Sequence, residues 1–343
     1  MHIKEAIAHV VQQRDLSREE MISIMEQIMG GKCHDAQIGS FLTAMRIKNE
    51  SIDEIVGAAT VMRLLMTPVK IQAKHLVDIV GTGGDEAHLF NVSTASAFVA
   101  AAAGAHVAKH GNRGVSSASG SADLLENSGM NMAISPSQVA LCVEKIGVGF
   151  MFAPAYHSAM KHVAHIRKAL GIRTLFNILG PLCNPASVEN LVVGVFSKEL
   201  CRPIAEVFLA FGSKHVMVVH SLDGLDEISI SSETHVAELK QGMIVEYLIK
   251  PEDMGIHSQS LLGLSVADTD ESLSLICDAL NKRETTYAKK AADMIALNSG
   301  ATIYVAGLTG SFQEGVSIAC QIIQQGLALK KMQELASFSH SFY

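Results

Sequence analysis

The chain has 343 residues, of which 48% are apolar and 18% charged, with a formal net charge of −7. That length supports a substantial core in one large domain or two of ordinary size, and the acidic balance argues against the broad basic face that nucleic-acid backbones require. The longest apolar run, Ala95 to Ala108, carries Ser96, Gly104 and His106 and is too short and polar to span a bilayer.

From the amino terminus, Glu5 and His9 fall where a secretion signal would need apolar residues, so a cytoplasmic protein is expected. The first seventy or so residues read as three or four short helices. Ser17 to Glu20 and Ser51 to Glu54 show the Ser-x-x-Glu spacing in which hydroxyl and carboxylate satisfy free amides at a helix start. Ile22, Met25 and Ile28, then Phe41, Met45 and Ile47, recur at roughly helical spacing, with Gly30-Gly31 as a stop.

From Leu76 the texture changes to short β-rich runs alternating with helices. LVDIV, a helix from Ser93 to Ala103, HVAKH and a helix near Ala122 to Asn127 come first. VGFMF, a helix from about His157 to Leu170, LVVGVF, a helix from Glu199 to Phe211, and HVMVVH follow. This alternation implies an α/β fold with a mostly parallel sheet covered on both faces. After Asp226, ISISS, HVAEL and IVEYLI read as a short antiparallel addition, and the last eighty or so residues return to helix. The six cysteines, at 33, 142, 183, 201, 277 and 320, form no CxxC pair and read as reduced cytosolic thiols.

Ligands of parallel α/β sheets collect at the carboxyl ends of strands, and DIVGTGGD, Asp78 to Asp85, lies at such an end. Its glycines either let backbone N–H groups converge on an anion or simply make a tight turn. Asn91-Val92-Ser93-Thr94 opens a helix of small residues, as an ordinary cap or as a phosphate seat. The run from Lys109 to Asp123 gathers two cations, a histidine, an amide, four serines and three glycines after an apolar strand, a concentration of donors suited to binding. A third strand ends in Asp223-Gly224-Leu225-Asp226-Glu227. The adjacent carboxylates there are either a solvated acidic turn or a Mg²⁺ site completed by substrate phosphates. His157, His162 and His165 lack a clean metal-ligand spacing, whereas Arg167 and Arg173 on the same segment could hold a carboxylate bidentately.

With GTGGD, FNVST, KHGNRGVSSASGSAD, YHSAMKHVAHIRKALGIRTLFNILGPLCNP and DGLDEIS in this order, essentially the whole chain resembles the anthranilate phosphoribosyltransferases. The resemblance implies a small helical domain, residues 1–72 joined by helices from about 160–190, and a large α/β domain, residues 73–343, of the nucleoside phosphorylase/phosphoribosyltransferase type. Residues 73–343 would carry most of the phosphate and metal site. A homodimer through the helical domain is implied as well. The implied reaction is attack of the anthranilate amine on C1 of phosphoribosyl pyrophosphate (PRPP), giving N-(5-phosphoribosyl)anthranilate and pyrophosphate in the second step of tryptophan biosynthesis.

Carried over by motif, Gly81, Gly84, Asp85, Leu89, Asn91, Val92, Ser93, Thr94, Lys109, Asn112, Arg113, Ser116, Ser117 and Ser121 would meet PRPP. Gly81, His110, Asn112, His157, Arg167 and Pro181 would meet anthranilate. Ser93, Asp226 and Glu227 match the metal positions, for two Mg²⁺ ions of which one or both arrive with the substrate, and Lys109, His110 and Arg167 are the implied catalytic residues. The pattern departs at Glu86 and Leu89, where family members usually carry Gly and Thr, and at Ala118, where Lys is common; weaker PRPP binding is expected. A pyrimidine nucleoside phosphorylase-like enzyme and a non-catalytic nucleic-acid-binding relative are the rival readings; KHGNR and the Asp226-Glu227 pair speak against the first, net charge and Arg167 against the second.

Overall fold

The computed structural model describes residues 1–85, 87–114, 118–281 and 284–342. The chain forms two compact units, Met1–Pro68 with Ala153–Pro185, and Val69–Phe152 with Ala186–Tyr343.

The first unit opens with four helices, α1 (Ile3–Val11), α2 (Arg18–Met29), α3 (Asp35–Lys48) and α4 (Ile52–Leu65). Ser17 and Ser51 cap α2 and α4 in reciprocal capping boxes with Glu20 and Glu54. Glu54 is fully buried, and its charge is answered by Lys48 Nζ at 2.8 Å and the Leu16 N–H at 2.9 Å. Met21, Ile24, Met25 and Ile28 form the inner face of α2. Ile47, expected inside, is 68% exposed: six residues beyond Phe41 it lies about 240° around the helix, away from the face Phe41 shares with Met45.

The returning stretch is not the single helix expected from His157 to Leu170. It consists of a helical turn Ala153–Tyr156, a 3₁₀ turn Ser158–His162, and helices Ala164–Leu170 and Phe176–Leu182. His157 and Ile166 are both buried, yet a continuous helix would set them about 180° apart, so the tighter turn brings them inside together. Arg63 Nε of α4 donates to the Leu182 carbonyl at 2.6 Å, and the Thr67 N–H to the Tyr156 carbonyl at 2.9 Å.

The second unit is built on seven strands, β1 (Leu76–Gly81), β2 (His106–Gly111), β3 (Val148–Phe152), β4 (Asn190–Gly194), β5 (His215–Ser221), β6 (Thr234–Lys240) and β7 (Met243–Ile249), in the order β3-β2-β1-β4-β5-β6-β7. Pairing is parallel from β3 through β5 and antiparallel from β5 to β7. The parallel strands are Val-rich and buried on both faces, as helical crossovers on each side require. Helix α5 (Val92–Ala102) follows β1, and its small residues let it pack closely beside the long helix Thr286–Val305. The ISISS segment is not a strand but part of the β5–β6 loop. Its alternation of buried isoleucines and serines is real; Ser229 and Ser231, however, turn their hydroxyls to Asp223. Among the described residues no helix is long and apolar enough to cross a membrane.

Candidate active site

Parallel strands deliver their carboxyl ends to one edge of the sheet, and here β1 and β4 end in paired glycines, Gly81 opposite Gly194. What needs the bare backbone is a carboxylate residue from the β5–β6 loop. A Cβ on Gly81 would stand 2.3 Å from Asp226 Oδ2, and one on Gly194 would stand 1.6 Å from the Asp226 carbonyl oxygen. Asp226 therefore sits directly on the two strand ends. The next turn adopts positive φ at Gly83 (67°) and Gly84 (85°), which points the Gly83 N–H at Asp226 Oδ2, 2.6 Å away. At least one amide of the glycine run thus serves the protein's own carboxylate rather than a ligand.

Charge is concentrated around this seat. Burial, then repulsion from the neighbouring Asp85 carboxylate, pushes Asp226 up to about 7. Glu227 is raised well above the usual carboxylate range by burial and by Asp226, while Lys109 and the Ser93 N–H pull it back down. Lys109 is 3% exposed, and its Nζ donates to the Ile79 carbonyl at 2.6 Å and to Ser93 Oγ at 3.3 Å. Burial depresses its ammonium, with Asp78 and Glu227 opposing the shift. Thr94 Oγ1, in the first turn of α5, is buried without a hydrogen-bond partner among the described residues. The structure therefore brings Gly81, Asp85, Ser93, Lys109, Asp226 and Glu227 into one cluster.

The remaining residues of this unit divide. Asn91 is locked, its Nδ2 donating to the Ser119 carbonyl at 3.0 Å and its Oδ1 accepting from Ser272 Oγ at 2.8 Å. The Asn112 carbonyl accepts from the Ala122 N–H and from Ser121 Oγ, which closes the loop after β2. His110 is buried on β2 and its N–H approaches Asp78 Oδ1 at 3.4 Å. Three residues expected at PRPP make contacts within the protein. Val92 offers neither side chain nor amide, being 2% exposed with its N–H donated to Phe90 at 2.7 Å. Arg113 pairs with Asp123 (2.8 Å) and Glu126 (2.7 Å) and lies over the Phe152 ring. Leu89 packs its side chain against the core and bridges Ser265 through its backbone, presenting no polar side-chain group. Glu86, Ser116 and Ser117 lie outside the described residues.

His157, Arg167 and Pro181 belong to the first unit. Arg167 lies in the last turn of its helix, 5.5 Å over the Phe176 ring, and burial lowers its guanidinium. His157 is buried, which favours the neutral imidazole, with a hydrogen bond to the Cys183 backbone pulling the other way. Pro181 is buried inside the helix Phe176–Leu182.

The donor set suits a hard divalent cation. Asp85, Asp226 and Glu227 crowd together with too little positive charge between them, and Ser93 Oγ lies beside Lys109. Among the described residues no three His, Cys, Asp or Glu side chains close into a complete metal centre. Three contributors carried no conspicuous sequence signal: Asp78, Gly194 and Ser272. Gly194 alone could have been suspected, as a glycine ending a β-branched run.

Residues 73–329 match the a/b domain of the glycosyl transferase family, and residues 4–66 match its helical bundle domain. A curated anthranilate phosphoribosyltransferase of Azotobacter vinelandii is 59% identical over 342 residues, covering 100% of this chain and 98% of the relative. That of Cellvibrio japonicus is 60% identical over 339 residues, 99% of each chain. Among solved structures, the enzyme of that name from Thermus thermophilus superposes with a TM-score of 0.91 at 38% identity, over 98% of this chain and 99% of that one. Its Saccharomyces cerevisiae counterpart, in complex with PRPP and Mg, gives 0.89 at 28% identity over 99% and 98%.

Proposed function

The chain belongs to the anthranilate phosphoribosyltransferases of the glycosyl transferase family and transfers the 5-phosphoribosyl group of PRPP to the amine of anthranilate; we propose that the cluster at the carboxyl ends of β1, β2 and β5 performs this chemistry. The observation that carries this proposal is the convergence of Lys109, the start of α5 and the Asp226-Glu227 pair on one sheet edge. Family membership supports the transferase over both rival readings.

Gly84, Asp85, Asn91, Ser93, Thr94 and the Asn112–Ser121 loop are assigned to PRPP. Asp226, Glu227 and Ser93 are assigned to magnesium, which the yeast relative holds together with PRPP; two ions are proposed here. His157, Arg167 and Pro181 of the first unit are assigned to anthranilate by the family's motifs, and Arg167 suits its carboxylate because a guanidinium bonds two oxygens at once. The yeast relative also binds 4-fluoroanthranilate. A homodimer through the helical unit and a cytoplasmic location complete the proposal.

As pyrophosphate departs, positive charge develops on the ribose and negative charge on the leaving oxygens. Lys109, already fixed by Ile79 and Ser93, meets that negative charge without reorganising. Magnesium, when bound, neutralises the rest. Arg167 is assigned to orienting the weakly nucleophilic aromatic amine through its carboxylate, so alignment supplies much of the rate. The nitrogen becomes acidic only once bonded to carbon, and its proton passes to water or to pyrophosphate.

The direct test is the fall in anthranilate fluorescence on mixing the protein with PRPP and Mg²⁺. Loss that EDTA abolishes supports the assignment. No loss at millimolar substrate would overturn it.

A further inference from the structure

Building on the metal reading of Asp226 and Glu227, we propose that Asn298 is a positioning residue that fixes this pair for the magnesium-bound pyrophosphate. Asn298 is fully buried in the middle of the 20-residue helix Thr286–Val305. Asparagine is a poor choice there, since its amide competes with the helix backbone and an apolar side chain would pack more favourably. Its amide is instead spent mainly on one distant residue. Oδ1 accepts the Ile228 N–H at 3.0 Å, and Nδ2 donates to the Ile228 carbonyl at 2.9 Å and to the Met294 carbonyl at 3.0 Å. One side chain thereby holds both polar groups of the residue directly after Glu227, as a neighbouring strand would.

On the other side of the pair, Asp226 is held by the Gly83 N–H and seated on Gly194. The loop's outer part is tied separately: Asp223 accepts Ser221 Oγ at 2.5 Å, Ser229 Oγ at 2.7 Å, and Ser231 Oγ. Two adjacent residues that must present their carboxyl groups together need the backbone fixed on both flanks. Asn298 supplies the flank beyond Glu227. Without it, the Ile228 N–H and C=O stay buried and unpaired, and the loop moves to find partners.

The test is isothermal titration of the full-length protein with inorganic pyrophosphate in MgCl₂, alongside thermal melts and KM for PRPP. Asn298→Leu is expected to weaken magnesium pyrophosphate at least tenfold and to raise KM for PRPP in parallel. The control is Thr302→Val, which removes a buried hydroxyl that donates to the Asn298 carbonyl at 2.8 Å and leaves the loop untouched. It is expected to lower the melting temperature while keeping affinity within twofold. Should Asn298→Leu fail to fold, Asn298→Ser decides, because its hydroxyl can bond the Met294 carbonyl while both bonds to Ile228 are lost. Wild-type affinity in the foldable Asn298 variant, or equal weakening in Thr302→Val, overturns the positioning role. A wild-type protein that does not bind magnesium pyrophosphate overturns the metal reading itself.

Discussion

Gly194→Ala is the sharpest test of the seat beneath Asp226. The added Cβ would lie 1.6 Å from the Asp226 carbonyl oxygen and 2.5 Å from its carbonyl carbon, whereas real Cβ contacts essentially never fall under 3.0 Å. Relief therefore needs at least 1.4 Å of movement, and the obstacle is backbone, which cannot swing aside as a side chain would. Gly194 itself has little room to yield. It pairs in parallel register between Gly81 and Val219, and its carbonyl accepts the Thr82 N–H at 2.9 Å. The displacement falls on the Asp226-Glu227 loop. Misplacing a reacting constellation by about 1 Å costs on the order of 10²-fold in rate, and overpacking costs about 1–3 kcal/mol of stability. The expected result is a fall of at least about a hundredfold in kcat/KM for PRPP, with a higher Mg²⁺ requirement and a folded protein. Anthranilate fluorescence at varied PRPP and Mg²⁺ reads the first two, and urea denaturation the third. A kcat/KM within threefold of wild type at an unchanged Mg²⁺ requirement would refute the reasoning.

Glu238 accepts from His215 Nε2 (2.8 Å), Tyr247 OH (2.7 Å) and Tyr304 OH (2.8 Å), which holds its carboxyl at about 2, below an ordinary 4.5. A depressed carboxylate stabilises above its unfolded value, so wild type should exceed Glu238→Gln by up to about 3 kcal/mol near neutrality, less whatever solvent screening removes. That advantage should shrink as pH falls from about 5 towards 2; urea midpoints showing the same gap at pH 7 and pH 3 would contradict it. Leu89→Thr is expected to lower KM for PRPP by up to about tenfold through one hydroxyl bond to a charged oxygen, and an unchanged KM would leave Leu89 a core residue alone. His110→Ala and His157→Ala are each expected to keep measurable kcat, because no single base is required; complete loss in either with substrate binding intact would identify that histidine as the base.

Local signals made much of this legible. The Ser17 and Ser51 capping boxes, the strand-then-glycine endings and the alternation of elements are short-range, and each depends on neighbouring residues. Lys109 and Asp226-Glu227 stood out because charge at the end of an apolar strand needs a partner. The helix Pro136–Ile146 passed unremarked although Ser135, Pro136 and Gln138 spell its start. Other features were beyond local reading. Ile228 meets an asparagine 70 residues away, and Arg113 meets acids 10 and 13 residues on. In each case the deciding partner is chosen by tertiary geometry, which periodicity and spacing do not encode.

The first unit is stitched from two stretches of chain, and Arg63 meets the Leu182 carbonyl across 119 residues. On the ribosome, α1 to α4 emerge first but must await Ala153–Pro185, whose buried Phe176, Ile178 and Leu179 are made only after β1, β2 and β3. At typical elongation rates that wait is on the order of ten seconds. The part of the enzyme that is synthesised first is thus completed only after the chain has laid down the opening strands of the other, and its four helices spend that interval with apolar surface open to any chaperone within reach.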